Sequence, residues 1–321
     1  MTWPACGAEA PGLGRRLAIR EGADGSFSLW SEAFGEGFHS GRGALREARE
    51  TFLAPSGLER LSPWERLRVV EVCVGTGSNL ALLLEACAAR GIVLEWWGLE
   101  LDRDPLALAL AAGAFRRPWQ RGTLRVLEEL LERGDWWSEG ASCRMLWGDA
   151  RQTLVELGRE WRGRVDLVWH DAFSPRHCPQ LWTVEVLGAA TELLAPGGRW
   201  ISYCSAAAVR ESLRLLGLNL AALELQGAPA PRSTAWSGGT LASPSPLSLG
   251  PSPLWRKLSE MERAHLASTA GEPYRDPTGT ADAATILTNR LEAQAAALAS
   301  GARTSASAWR RRWGLKRSED A

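Results

Sequence analysis

An apolar, β-branched run at residues 68–74 ends in the turn Gly75-Thr76-Gly77 and constrains the fold more than any other feature. A strand that is apolar on both faces is typical of the middle of a parallel sheet, where helices cover both sides. Further strand-like runs alternate with helical patterns along the chain, at residues 92–99, 144–147, 165–170 and 199–203. This alternation predicts a Rossmann-like α/β fold with a doubly wound, mostly parallel sheet.

Composition shifts divide the chain into five predicted segments. The Gly-, Ala- and Pro-rich start predicts a flexible N-terminus, and a stretch rich in Pro, Ser and Gly predicts a linker or long loop in the second half. The predicted segments are a flexible terminus (1–25), a strand and helix extension (26–66), the α/β core (67–226), the linker or long loop (227–253) and a helical, basic appendage (254–321).

The charge balance and the cysteines narrow the class of protein. Lys plus Arg and Asp plus Glu number 37 each, which argues against indiscriminate binding to nucleic acid but leaves room for a local basic patch. Six scattered cysteines contain no C-x-x-C pair, so we expect reduced thiols, no metal site and a cytoplasmic location. No apolar run is long enough to span a bilayer, so no membrane association is expected.

Acidic residues follow the predicted strands where a ligand would lie at the sheet edge. Glu100, with Asp102 beyond it, ends the second strand, and a carboxylate there can accept both hydroxyls of a ribose. Asp149 follows the third strand, where an adenine amino group would lie, and Asp171 follows the fourth. For each residue alone, a helix N-cap or a solvated loop charge is the favoured interpretation, but acids at three successive strand ends favour a nucleoside site. The turn lacks the G-x-G-x-x-G pattern of dinucleotide folds.

Residues 170–182, His-Asp-Ala-Phe-Ser-Pro-Arg-His-Cys-Pro-Gln-Leu-Trp, carry a specific resemblance. They resemble the D-[AG]-F-x-P-x-x-x-P-x-x-W signature of the MnmC-like methyltransferases, which methylate 5-aminomethyl-(2-thio)uridine at the tRNA wobble position. Residues 38–53, 74–79 and 194–213 also resemble segments of that family. Two departures are Cys73, where the family has glycine, and His177-Cys178, where its best-known members have a Lys-Asn pair.

The resemblance implies a class I methyltransferase that converts S-adenosylmethionine to S-adenosylhomocysteine, with tRNA as its partner. It places the catalytic carboxylate on Asp171. The implied cofactor-binding residues are Glu71, Gly75, Thr76, Gly77, Asn79, Glu100, Asp102 and Asp149. The implied substrate-binding residues are His39, Ser40, Phe173, Pro175, His177 and Trp182.

Several expectations about partners stay open at this point. The chain after residue 225 shows no dinucleotide fingerprint, so we expect no FAD and a separate enzyme that makes the aminomethyl group. Candidate phosphate contacts are Arg42, Arg46, Arg49, Arg116, Arg117, Arg121 and Arg310 to Arg312. The alternatives are a methyltransferase acting on a small-molecule amine and a non-catalytic member of the fold.

Overall fold

The computed structural model describes residues 17–224, 237–247 and 254–315. A small antiparallel sheet comes first, formed by β1 (Leu17–Glu21), β2 (Phe27–Ser31) and β3 (Glu36–Gly37). The main sheet contains β4 (Arg66–Val72), β5 (Val93–Glu100), β6 (Asp135–Trp137), β7 (Ala141–Trp147), β8 (Val165–His170), β9 (Leu194–Ser202), β10 (Asn219–Leu223), β11 (Gly239–Ser243) and β12 (Trp255–Arg256).

The strand order of the main sheet is β12-β10-β11-β9-β8-β4-β5-β7-β6. The five strands from β9 to β7 are parallel, and the remaining strands pair antiparallel at the two edges. The chain runs outward from β4 in one direction through β5 and β7, and in the other through β8 and β9. The predicted α/β fold is therefore confirmed, and ligands of such sheets bind where the order reverses, beyond the carboxyl ends of the strands.

Helices cover both faces of this sheet. They are α1 (Ala44–Glu47), α2 (Ala54–Ser56), α3 (Ser78–Arg90), α4 (Asp104–Ala111), α5 (Gly113–Arg116), α6 (Arg121–Arg133), α7 (Ala150–Trp161), α8 (Val184–Thr191) and α9 (Ala207–Leu215). A π-helical turn, Ala48–Leu53, joins α1 to α2. Successive β4 side chains point to opposite faces of the sheet, and each face has its own hydrophobic core. Val69 packs in one of these cores and Val70 in the other.

Three sequence predictions differ from the structure where it describes them. Of the predicted linker, residues 227–253, the part 237–247 contains β11, whose side chains are all buried between β10 and β9, while 227–236 and 248–253 lie outside the described residues. Of the predicted flexible terminus, residues 1–25, the part from residue 17 onward contains β1, which pairs with β2, while 1–16 lie outside the described residues. The strand predicted at residues 199–203 begins earlier, at Leu194, so that Pro196-Gly197-Gly198 lies inside β9, next to a register shift in its pairing with β8. In each case, tertiary pairing overrides the local preference of Gly, Pro and Ser for turns.

After β12, the described part of the appendage contains α10 (Glu260–Leu266), α11 (Ala283–Ala299) and α12 (Ala306–Arg312). A fully buried ion pair attaches it to α9, with Arg210 Nη1 and Glu262 Oε1 3.0 Å apart. Arg256 forms a second pair with Glu262, at 2.6 Å. Within the described ranges, no helix is both long and apolar enough to cross a membrane.

Candidate active site

A cavity of about 440 Å³ lies at the carboxyl ends of β4, β5, β7 and β8, and the N-terminal residues 31–47 close one side of it. Its size falls within the range of cavities that hold small-molecule ligands. The core strands supply one wall, through the loops that follow each strand. The small N-terminal sheet and α1 supply the opposite wall. The cavity is therefore built from two parts of the chain that the sequence analysis had treated as separate segments.

The turn after β4 lines the cavity with residues 73–76. Gly75 has φ +56°, and a Cβ atom there would come within 3.1 Å of the Phe38 ring. Cys73 also has a positive φ, 68°, a conformation that favours glycine. The positive φ explains why a glycine suits this position in the family, and this chain has a cysteine in that left-handed conformation.

The carboxylate of Glu100 organises the end of β5. It accepts hydrogen bonds from the backbone N–H groups of Gly75, at 2.9 Å, Leu101, at 2.8 Å, and Asp102, at 3.1 Å. Burial raises the pKa of this carboxyl, although the three N–H groups oppose the shift. Glu100 thereby joins the turn after β4 to the loop after β5, and both loops line the cavity.

Asp149 begins α7 as its N-cap, accepting the Arg151 N–H at 2.9 Å. Arg151 folds back so that its guanidinium also contacts this carboxylate, with Nη2 and Oδ2 2.6 Å apart. The same guanidinium reaches the appendage, where it contacts Asp276 at 3.1 Å and the Ala281 carbonyl at 2.9 Å. Both Asp149 and Arg151 line the cavity. The sequence analysis assigned no role to Arg151 or Asp276.

Asp171 lies at the cavity wall directly after β8. Asn79 donates a hydrogen bond from Nδ2 to Asp171 Oδ2 at 2.9 Å. Among the described residues no hydrogen bond reaches Oδ1, which leaves that oxygen available to a ligand. Burial, and then the nearby Glu47 carboxyl, raises the pKa of Asp171 well above its usual range. Asp171 is therefore a strong proton acceptor once it is ionised.

The structure brings most of the residues named from sequence to this one cavity. The lining includes His39, Ser40, Gly75, Thr76, Asn79, Glu100, Asp102, Asp149, Asp171 and Phe173. His39 contacts Ser28 at 3.0 Å through Nδ1, and burial lowers its pKa to about 4, so it is neutral at pH 7.

Five of the named residues lie outside the lining: Glu71, Gly77, Pro175, His177 and Trp182. Burial or position keeps them off the cavity wall, and direct contact of any of them with a ligand stays a prediction. Glu71 is fully buried inside the sheet and accepts a hydrogen bond from Trp96 Nε1, at 3.0 Å. Trp182 is also fully buried and donates to the Phe173 carbonyl at 2.7 Å, which holds the loop after β8 in place. Gly77 caps α3, Pro175 is buried, and His177 is exposed to solvent.

Apart from His39 and Ser40, which the family resemblance had named, sequence reasoning missed the N-terminal wall of the cavity. Phe34 stacks on Phe173 with ring centroids 4.5 Å apart, and Phe38 meets Phe173 edge-on at 5.0 Å. Glu36 and Glu47 also line the cavity. Of these residues, only Phe38 and Glu47 lie in the segment 38–53 that resembles the family, and the resemblance gave neither of them a role.

The residues present fit S-adenosylmethionine. The backbone of the glycine turn forms a close wall, and the carboxylates at the ends of β5 and β7 face the same space. A sulfonium cation is also complementary to an acidic cavity. Within the described ranges, no group of three His, Cys, Asp or Glu side chains is placed to hold a metal ion.

The arginines predicted to contact phosphate fall into two groups, those paired with a glutamate and those exposed to solvent. Arg42 and Arg46 both pair with Glu50, and Arg116 pairs with Glu128 at 2.7 Å. The remaining candidates are exposed at the surface: Arg49, Arg117, Arg121, Arg310, Arg311 and Arg312.

Comparisons with known proteins agree with this geometry. Residues 123–232 match a family model described as S-adenosyl-L-methionine-dependent methyltransferase. The chain is 30% identical to MnmC2 of Aquifex aeolicus, whose crystal structure superposes with a TM-score of 0.70 over 86% of this chain and 84% of that one.

Two relatives known by sequence extend the comparison. An uncharacterized protein of Methanocaldococcus jannaschii is 28% identical over 85% of this chain and 71% of its own length. The tRNA 5-methylaminomethyl-2-thiouridine biosynthesis bifunctional protein MnmC of Caulobacter vibrioides is 31% identical over 65% of this chain. The alignment spans only 36% of that bifunctional protein. The identity to MnmC2 over most of both chains shows that this chain belongs to the MnmC-like family of S-adenosyl-L-methionine-dependent methyltransferases.

Proposed function

We propose that the chain transfers a methyl group from S-adenosylmethionine to the aminomethyl nitrogen of a modified wobble uridine in tRNA. The observation that carries the proposal is an acidic cavity at the sheet edge, with Asp171 on its wall, in a member of the MnmC-like family. The names of the bifunctional relatives, as tRNA 5-methylaminomethyl-2-thiouridine biosynthesis proteins, support tRNA as the substrate class.

The charges on the cavity wall favour a cationic ligand. Six carboxylates line it against a single guanidinium in the described part of the chain, Arg151, which is already paired with Asp149. The six are Glu36, Glu47, Glu100, Asp102, Asp149 and Asp171. A primary ammonium complements this wall, whereas a phosphate is repelled by it. The phosphates of a tRNA would therefore stay outside the cavity, near the exposed arginines, while the modified base enters.

The substrate nitrogen must lose a proton before it reacts. An alkyl ammonium has a pKa of about 10, so at pH 7 only about one molecule in a thousand carries a free lone pair, which adds about 4 kcal/mol to the barrier. We assign to Asp171 either the acceptance of this proton or the hydrogen bond that aims the nitrogen. Asn79 holds the Asp171 carboxylate through Oδ2, which would leave Oδ1 for the substrate.

The remaining groups orient the two reactants. Bound S-adenosylmethionine supplies a methyl group on a sulfonium, and the sulfur keeps the electron pair of the broken bond. The Glu100 carboxylate joins the glycine turn to the loop after β5 and would hold both against the ribose of the cofactor. Phe34, Phe38 and Phe173 would form an apolar wall for a flat base. No FAD-dependent step belongs to the proposed reaction, so a separate enzyme in the cytoplasm would supply the aminomethyl group.

The test is transfer of labelled methyl from S-adenosylmethionine to bulk tRNA that carries the aminomethyl group but lacks the final methyl. We expect one label per accepting tRNA, mapped by nuclease digestion to the wobble uridine. Binding of the cofactor without transfer to any tRNA would refute the tRNA substrate and favour a small-molecule amine, which fits the same acidic cavity. Failure to bind the cofactor at all would favour a non-catalytic member of the fold.

A further inference from the structure

The segment Pro273 to Ala281, here called the clasp, crosses the two helices that begin at the edge of the cavity. Its Tyr274 carbonyl accepts the Val184 N–H at 3.0 Å, at the start of α8. Glu185, in the first turn of α8, accepts the Asp276 N–H at 2.9 Å and the Arg275 Nε at 2.7 Å. The clasp is therefore fixed to the helix that follows the Asp171 loop.

The opposite side of the clasp is fixed to α7. Asp276 is 2% exposed and contacts Arg151 through Oδ2, at 3.1 Å, while its Oδ1 accepts from Thr278 Oγ1 at 2.9 Å. The Ala281 carbonyl accepts a second hydrogen bond from Arg151, at 2.9 Å. Arg151 carries these contacts to Asp149 at the cavity wall, through the 2.6 Å pair.

We propose that the clasp, through Asp276 and Arg151, sets the position of the Asp149 carboxylate and thereby tunes the affinity for S-adenosylmethionine. Asp276 is a positioning residue, because it does not line the cavity and acts only through Arg151. The inference rests on the proposed binding of S-adenosylmethionine in this cavity. The inference gives the appendage a role in cofactor binding, although the appendage lies outside the parallel sheet.

Two consequences follow from the contacts. Without Asp276, the Arg151 guanidinium loses its buried anionic partner, so the Asp149 carboxylate that it holds can adopt other rotamers. Conversely, a ligand held by Asp149 must stabilise the clasp, because coupling between two sites is reciprocal. Cofactor binding is therefore expected to slow hydrogen exchange at the clasp amides, including the Asp276 and Ala281 N–H groups.

The experiment measures cofactor affinity by calorimetry on the full chain, without any methyl acceptor. Asp276→Ala is expected to raise the Kd for S-adenosylmethionine about tenfold, within the range typical of coupled sites. Asp276→Asn, which keeps the size and an acceptor oxygen, is expected to have a smaller effect. The matched control is Asp282→Ala, which removes the N-cap of α11 but touches neither Arg151 nor Asp149, and is expected to leave the Kd unchanged.

Hydrogen exchange on the wild type provides the second readout. Slower exchange across residues 273–281 on addition of S-adenosylmethionine, together with the Kd change, would support the clasp. If Asp276→Ala is folded by circular dichroism and binds the cofactor as tightly as wild type, the proposed role of the clasp is refuted. The proposed function is then left intact. Wild type that binds no cofactor would overturn the proposed function and the clasp with it.

Discussion

Glu71 gives the most quantitative test of the site's electrostatics. It is fully buried in β4, where its Oε2 accepts a hydrogen bond from Trp96. Burial, followed by repulsion from Asp171, raises the pKa of its carboxyl to about 8. The unfolded chain has an ordinary glutamate there, with a pKa of about 4.3. At pH 7 the folded protein therefore retains a proton that the unfolded chain has released.

The sign and the size of the effect follow from this difference. Stability falls with rising pH wherever the folded state binds more protons, so the Glu71 contribution is lost between about pH 4.5 and pH 8. The slope within that window approaches about 1.4 kcal/mol per pH unit, which gives roughly 2–3 kcal/mol between pH 5 and pH 7. Glu71→Gln resembles the protonated acid in shape and does not titrate. The variant is therefore expected to gain stability relative to wild type as the pH rises.

Urea unfolding of both proteins at pH 5, 6 and 7 measures this gap directly. Taking the difference between wild type and variant removes the contributions of other groups whose pKa values are raised, such as Glu100 and Asp166. A gap that stays constant from pH 5 to pH 7 would refute the reasoning, since Glu71 would then be ionised in the fold. We also expect the affinity for S-adenosylmethionine to change little, because Glu71 does not line the cavity.

Two further substitutions test the turn and the appendage. Cys73 has a φ of +68°, so Cys73→Gly is expected to be more stable than Cys73→Ala by about 1 kcal/mol, whereas alanine is usually the more stabilising of the two. Equal stabilities of the two variants in thermal unfolding would contradict the strained conformation. Arg210→Met leaves the buried Glu262 without one of its two cationic partners and is expected to cost about 3–5 kcal/mol in urea unfolding. Arg214→Met, on the same helix, removes an exposed guanidinium from Glu211, which keeps its contact with Arg303, and is expected to cost less than about 1 kcal/mol; similar losses for both variants would refute a special role for the buried pair.

The parallel core could be predicted because its signals are local. Apolar β-branched runs and the glycine turn place β4, β5 and β8 in the chain, and parallel strands bring their carboxyl ends together at one edge. The same rule predicts that Glu100, Asp149 and Asp171 lie near each other, and all three line the cavity. Whether each contacts a ligand remains a prediction.

The other wall of the cavity depends on contacts that no local pattern encodes. Glu36 lies in a two-residue strand, and Glu47 lies at the end of a short helix before the π-helical turn. Neither has a spacing relation to Asp171, which is more than a hundred residues away in sequence. The burial of β11 was equally invisible, because its Gly-Thr-Leu-Ala-Ser sequence resembles a loop until β9 and β10 are placed on either side.

Asp171→Asn provides the most direct test of the central claim, that this carboxylate serves methyl transfer to an amine. The rate of a single turnover would be measured with saturating S-adenosylmethionine and aminomethyl-bearing tRNA, alongside calorimetry of cofactor binding. The account predicts a rate at least about 100-fold lower than wild type, as for loss of a catalytic acid–base group, with cofactor affinity nearly unchanged. A variant that transfers methyl within about threefold of the wild-type rate would contradict it.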